Sequence, residues 1–145
     1  NLQSASPASP RLKLLAVSLA YPPLAYPRSI QVARLLKFLD ASTVLVCCDE
    51  PGARKDFTIE PDAESKLAVC LRVPFEVSRG QRFFDSIAYR FHKRLWNRRN
   101  MAPDNYGSWK TAVLKEIDRY IRTNDFRPDA IVTFAQPFTD HLIGL

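Results

Sequence analysis

The last third of the chain, residues 104–145, joins a segment with helical periodicity to a short apolar run that ends in a proline turn. The apolar residues of the first segment recur on one helical face: Trp109, Ala112, Val113, Ile117, Tyr120 and Ile121. The run 130–134 shows no polar alternation, which is typical of a strand covered on both faces in a parallel sheet. This part of the sequence therefore predicts an amphipathic helix followed by a buried parallel strand.

The first part of the chain predicts a βαβ unit. An apolar strand at 12–18 is followed by a loop with three prolines and then by a helix at 30–39, for which Ser29 is the expected N-cap. A second strand follows at 43–48 and a third at 67–73. The helix is expected to turn these apolar residues towards the sheet: Ile30, Ala33, Leu36 and Phe38 or Leu39. Such units are right-handed crossovers between parallel strands, so we expect a Rossmann-like α/β sheet with strand 12–18 central and helices on both faces.

Length and composition fit one soluble domain. The chain has 145 residues, of which 46% are hydrophobic and 25% charged, enough to bury a core without disulfides. No apolar run approaches the roughly 18 residues of a membrane span, and no basic-then-apolar leader opens the chain. A reducing, cytoplasmic setting is the expectation. Residues 1–10 are small and polar, and we expect a flexible lead-in or a tag remnant before a domain at 11–145.

The three cysteines indicate buried core thiols. Cys47 and Cys48 are neighbours in a predicted strand, so their side chains should point to opposite faces of the sheet, while Cys70 lies in the third apolar run. An odd number of cysteines, without a CxxC motif or a nearby histidine, suits neither a disulfide framework nor a zinc site. We therefore expect no metal.

The net charge of +6 is concentrated in one segment. Residues 82–99 carry six basic side chains against a single acidic one, Asp85. In helical projection an apolar stripe that includes Phe84 and Phe91 lies opposite Arg82, Arg90 and Lys93. This basic face is either a solvated helix surface or a surface that associates peripherally with an anionic membrane. Nucleic acid is disfavoured, because most of the aromatic side chains fall on the apolar stripe.

Several strings together resemble the N-terminal domain of the family-4 glycosyltransferases, retaining enzymes of the GT-B fold. They are YPPLAYPRSIQVARLL at 21–36, RVP at 72–74, DNYGSWKTAVLKEI at 104–117 and PDAIVTFAQPFTDHLIGL at 128–145. The resemblance extends from about Leu12 to the end of the chain, and the last string is the most specific. Where many members carry glycines in the first loop, this chain has Leu24, Ala25, Tyr26 and Pro27. A close approach of that backbone to a donor phosphate is therefore not expected.

The resemblance implies that the whole protein moves a sugar from a nucleotide-sugar donor to a sugar or lipid-linked acceptor. This domain would form the acceptor side of the cleft. The C-terminal domain that binds the donor and carries the paired glutamates is not in this sequence, so this piece alone is expected to be inactive. No cofactor is implied, because the nucleotide-sugar is a substrate, and no catalytic residue can be assigned.

Candidate substrate-binding residues lie where ligands meet an open α/β sheet, at the carboxyl ends of its strands. They are Arg28 and Ser29 at the first helix, and Gln136, Thr139 and His141 in the loop after the fourth strand. Arg28 could pair with a phosphate or carboxylate, and Gln136, Thr139 and His141 could bond sugar hydroxyls. Surface exposure, turn formation or helix capping by Thr139 or Asp140 would also explain these residue types.

Other function classes lack their motifs. The sequence has no GxGxxG, Walker, GxSxG or HExxH pattern, and its four glycines disfavour a classical dinucleotide site. The alternative to a glycosyltransferase domain is a stand-alone α/β binding or interaction module, whose basic helix contacts a membrane or nucleic acid.

Overall fold

Four parallel strands form the centre of the computed structural model, which describes residues 11–58, 64–75, 106–134 and 139–145. The strands are β1 (Leu12–Ser18), β2 (Ala41–Asp49), β3 (Val69–Pro74) and β4 (Ala130–Thr133), and the helices are α1 (Pro27–Phe38), α2 (Gly107–Asn124) and α3 (Thr139–Ile143). The strand order is β3-β2-β1-β4, and every neighbouring pair is parallel. The predicted Rossmann-like α/β fold, with strand 12–18 inside the sheet, is confirmed.

The two faces of the sheet are covered by different helices, because alternate residues of each strand point to opposite sides. On one side α2 covers Leu15, Val17, Val44 and Val46 with Trp109, Val113 and Ile117. On the other side α1 covers Ala16, Leu45 and Cys47 with Val32, Ala33 and Leu36. The centre of the sheet is therefore dry on both faces, as the sequence predicted.

α2 is the amphipathic helix that the sequence predicts. Trp109 is buried and donates its indole N–H to the carbonyl of Val73, 3.1 Å away, which ties the start of the helix to the end of β3. The helix ends where Asp125 adopts a left-handed conformation with φ of 44°, and Phe126 N–H then bonds the carbonyl of Ile121. The edge-to-face contact of Tyr120 with Phe126 covers this end.

α1 differs from its prediction. It begins at Pro27 rather than at residue 30, and Tyr26 occupies the N-cap position, where its side chain makes no capping hydrogen bond to the helix. Proline suits the first helical position, because its φ is already helical and its missing N–H would have no partner there. The residues that the helix buries are Ser29, Val32, Ala33 and Leu36. The predicted inward orientation of Ile30, Phe38 and Leu39 is therefore wrong, and Phe38 is 84% exposed.

β4 is shorter and more exposed than expected. It pairs with β1 and is the last strand of the order, and Ala130 and Ile131 are exposed. The expectation of cover on both faces is wrong for these two residues. Its register is fixed at the start, since Asp129 accepts from the backbone N–H of Lys13 and donates its own N–H to the carbonyl of Lys13.

All three cysteines are free. Cys47 lies on the α1 side of the sheet and Cys48 on the α2 side, which confirms the prediction that they point to opposite faces. Both are buried, whereas Cys70 is partly exposed. Within the described ranges no helix combines the length and the apolar character that crossing a bilayer requires.

We expect Trp109→Ala to destabilise the fold by about 3–5 kcal/mol, because it empties a large core position. Trp109→Phe should cost less, chiefly through the carbonyl of Val73 that it leaves without its indole donor. Urea unfolding measures both. Phe38→Ala, which removes an exposed aromatic ring, is the control and should change the unfolding free energy by no more than about 0.5 kcal/mol. Equal losses for Trp109→Ala and Phe38→Ala would contradict the α2 packing.

Candidate functional site

The strand order creates a crevice at the carboxyl ends of β1 and β4. Within the sheet β2 and β3 lie on one flank of β1, and the chain later returns to place β4 on the other flank. Ligands of open α/β sheets bind at such a switch point. The loop 19–26 and the first turn of α1 lie on one side of this crevice, and the connection from β4 to α3 lies on the other.

Buried polar side chains are concentrated at this edge of the sheet. Among the described residues five polar or charged side chains are buried, and four of them are Ser18, Ser29, Thr139 and Asp140. The fifth, Thr43, lies within β2. Since burying a polar group is costly unless it is bonded, this concentration makes the carboxyl edge the candidate site.

Asp140 joins the two walls of the crevice. Its side chain is fully buried in the first turn of α3, and Oδ2 accepts a 2.9 Å hydrogen bond from the backbone N–H of Leu19, the residue after β1. Beside it, Ser18 donates its hydroxyl hydrogen to the carbonyl of Ala20 at 2.8 Å. Burial, and then nearby carboxylates that include Asp140, raise the pKa of Cys48 to about 12. Sequence reasoning named Asp140 only as a helix cap and missed this long-range contact.

His141 lies on the exposed side of α3 and is held against β4. Its Nδ1 is 2.5 Å from Oγ1 of Thr133, at the carboxyl end of that strand. A Cβ at Gly144, just after α3, would lie only 2.5 Å from Cγ2 of Thr133, so a larger residue there would have to displace the Thr133 side chain. Within the described ranges Nε2 of His141 has no protein partner. The contact of Nδ1 with Thr133 thus orients the imidazole ring, and Nε2 is available for a further hydrogen bond.

Thr139 is fully buried in the first turn of α3. Thr139 and Asp140 are the first two residues of α3 that the structure describes. Thr139 therefore supports the wall of the crevice from within.

Arg28 makes the start of α1 electropositive. It is the second residue of the helix and is partly exposed, and no acidic residue lies in the first turn. A positive side chain at this end opposes the helix dipole, so the position favours an anion. Within the described ranges no ion pair neutralises Arg28.

Ser29 is not the N-cap that the sequence suggested. It is the third residue of α1, and its backbone N–H bonds the carbonyl of Tyr26 at 3.0 Å. Its side chain is fully buried, and Oγ has no hydrogen-bond partner among the described residues. A hydroxyl in this state costs folding free energy rather than supplying it.

The loop after β1 is held in place by the loop after β2. Leu24 forms a bridge with Lys55, Ala25 N–H bonds the carbonyl of Arg54 at 2.8 Å, and Asp56 N–H bonds that of Pro23 at 2.7 Å. The loop 19–26 is therefore fixed without any glycine.

Side chains add to this anchoring. Tyr26 donates its hydroxyl hydrogen to Glu50 at 3.0 Å, and Arg72 donates to the carbonyl of Pro22 at 2.8 Å. Burial, followed by the hydrogen bond to Glu50, raises the pKa of Tyr26 to about 12. The hydroxyl therefore remains a donor throughout the neutral range.

Several sequence-predicted residues lie outside the described ranges: Gln136, and the basic residues Arg82, Arg90 and Lys93 of the membrane hypothesis. The structure thus brings Thr139 and His141 together on α3 and places Arg28 and Ser29 on α1. In the part of the chain that the structure describes, no group of three or more His, Cys, Asp or Glu side chains could hold a metal ion.

The chain matches no family model, and neither a curated protein nor a solved structure shows significant similarity to it.

We expect Ser29→Ala to leave stability unchanged or to raise it slightly, because it removes a buried hydroxyl that has no partner. An N-cap serine would instead cost about 0.5–2 kcal/mol on the same change. Ser18→Ala is the matched control, since it removes a bonded hydroxyl and should cost on the order of 1 kcal/mol. Thermal and urea unfolding of both variants measure the difference. A larger loss for Ser29→Ala than for Ser18→Ala would restore Ser29 as a stabilising cap.

Proposed function

We propose that this chain is the acceptor-side, N-terminal domain of a retaining glycosyltransferase of the GT-B fold. The observation that carries the proposal is where the resembling segments lie. The strings at 21–36 and 128–145 are far apart in sequence, yet they supply the two sides of the crevice at the carboxyl ends of β1 and β4. The hydrogen bond from Leu19 N–H to Asp140 joins these sides.

The crevice suits an acceptor that carries both hydroxyls and negative charge. Arg28 and the N-terminus of α1 would hold an anionic group, such as a phosphate that links a sugar to a lipid. Nε2 of His141 would bond a sugar hydroxyl, while Nδ1 is held by Thr133. Gln136 would add a second hydroxyl contact. Ser29 and Thr139 are fully buried and would support the walls.

The donor would bind elsewhere. Three backbone N–H groups of the loop 19–26 are already used, since Leu19 N–H bonds Asp140, Leu24 N–H bonds the carbonyl of Tyr21, and Ala25 N–H bonds that of Arg54. They are not available to a nucleotide diphosphate, so the proposal assigns donor binding and catalysis to a second domain. That domain would carry the groups that make sugar transfer proceed with retention.

We expect Arg28→Gln to weaken acceptor binding by about 10–100-fold, the effect of losing a charged hydrogen bond. The probe is a short-chain isoprenyl diphosphate linked to N-acetylglucosamine, titrated into the isotope-labelled chain while amide shifts are followed. Shifts should centre on Leu19, Ser29 and His141. Arg34→Gln is the matched control, because Arg34 is an exposed residue of the same helix, and it should leave the affinity unchanged.

Three outcomes would count against the proposal. Equal losses for Arg28→Gln and Arg34→Gln would indicate general charge attraction, not a site at the start of α1. Micromolar binding of a nucleotide-sugar such as UDP-glucose to this chain alone would contradict the assignment of the donor to another domain. A chain that binds neither compound fits the stand-alone interaction module better.

A further inference from the structure

Two thiols from neighbouring strands meet on the α1 side of the sheet. Sγ of Cys47 on β2 and Sγ of Cys70 on β3 are 3.7 Å apart. Cys47 is fully buried beside Tyr21 and Leu45, whereas Cys70 is partly exposed. This pair lies apart from the crevice between β1 and β4, and the inference below does not rest on the proposed function.

The strand register disfavours a disulfide between these two cysteines. Cys47 lies opposite Arg72 and Cys70 lies opposite Leu45, so the two residues are offset diagonally by two positions. From ordinary strand spacing and rise, their Cα atoms are roughly 8 Å apart. A disulfide requires Cα atoms within about 7 Å, so its formation would need movement of the backbone.

A single atom bound to both sulfurs needs no such movement. A central atom about 2.3 Å from each sulfur, the length of a zinc–thiolate bond, would span the observed 3.7 Å at an angle of roughly 107°. That angle is close to tetrahedral and is acceptable to a pyramidal or tetrahedral centre. The separation of the sulfurs therefore suits a bridged dithiol.

The protonation and burial of the thiols decide which kind of central atom can bind both sulfurs. The hydrogen bond between the two thiols, and then burial, hold the pKa of the Cys47 thiol well above its ordinary value. A metal cation must displace thiol protons into solution, which a raised pKa opposes. Trivalent arsenic bound to oxygen instead removes the thiol protons as water and gives an uncharged product. An uncharged product also avoids the cost of a buried charge.

We propose that Cys47 and Cys70 form a bidentate binding site for a monosubstituted trivalent arsenical. Two S–H bonds and the arsenic–oxygen double bond break, two As–S bonds form, and the oxygen leaves with both protons as one water molecule. Arsenic stays trivalent, so neither oxidant nor reductant is needed.

Arg72 lies against the buried thiol. Its Nη1 lies 3.8 Å from Sγ of Cys47, and the same guanidinium is held by the carbonyl of Pro22 and by the carboxylate of Glu64. The partly exposed Cys70 is therefore the thiol that meets the arsenical first, and Cys47 closes the chelate.

Phenylarsine oxide is the probe, added to the native full chain and followed by intact mass and by titration of the remaining thiols. The wild type should take up one phenylarsenic group, lose two titratable thiols and release the adduct on addition of 1,2-ethanedithiol. Cys70→Ser should weaken uptake by on the order of 10²–10⁴-fold, because a single thiol loses the effective concentration of the second. Cys48→Ser is the matched control and should bind like the wild type, since Cys48 faces α2.

Cys47→Ser should weaken uptake as much as Cys70→Ser does. If substitution of the buried Cys47 prevents folding, the Cys70→Ser variant, changed at a partly exposed position, still tests the proposal. Uptake that survives in Cys70→Ser, or that is lost in Cys48→Ser, would overturn the proposal. Uptake only after denaturation would also overturn it. Rapid formation of a Cys47–Cys70 disulfide with diamide would show that the register argument is wrong and that the pair is an ordinary redox couple.

Discussion

β1 and β2 lie inside the sheet and are covered by α2 on one face and by α1 on the other. Side chains in the middle of these strands have no access to water, so polar groups are excluded there unless they are bonded. Polar residues can appear where a strand leaves the covered region, and Ser18 does so at the end of β1. Because both faces of the sheet are covered, most of the buried polar side chains lie at its carboxyl edge, where the candidate site is.

Sequence periodicity correctly predicted those elements whose residue pattern fits only one type of secondary structure. Strand 12–18 has the predicted limits, and α2 buries Trp109, Val113 and Ile117 as expected. The start of α1 was predicted wrongly because two valid signals compete there, a capping serine at 29 and a first-turn proline at 27. The helix starts at the proline, and Ser29 is a buried residue of its first turn; that burial is not visible in the local sequence. The exposure of Ile131 was missed because an apolar run looks the same in an edge strand as in a central one.

Long-range contacts of the site were beyond prediction from the sequence. Position after a strand was enough to place Arg28, Thr139 and His141 near the carboxyl edge of the sheet, because the loops that follow parallel strands share one edge. The bond from Leu19 N–H to Asp140 joins residues 121 positions apart and depends on how α3 lies against β1. The proximity of Cys47 and Cys70 depends in the same way on the β2–β3 register, which brings their sulfurs to within 3.7 Å of each other.

The first loop contains no glycine, which limits how its backbone can bind an anion. In a glycine-rich loop the backbone N–H groups approach a phosphate directly. Here Ala25 N–H is committed to Arg54, Leu24 N–H to Tyr21, and the carbonyl of Pro22 to Arg72. In the proposed function, recognition of negative charge would therefore fall to the side chain of Arg28, on a helix whose preceding loop is already held by hydrogen bonds. Little ordering of that loop is needed on binding, so the entropic cost that weakens many loop-based sites is reduced.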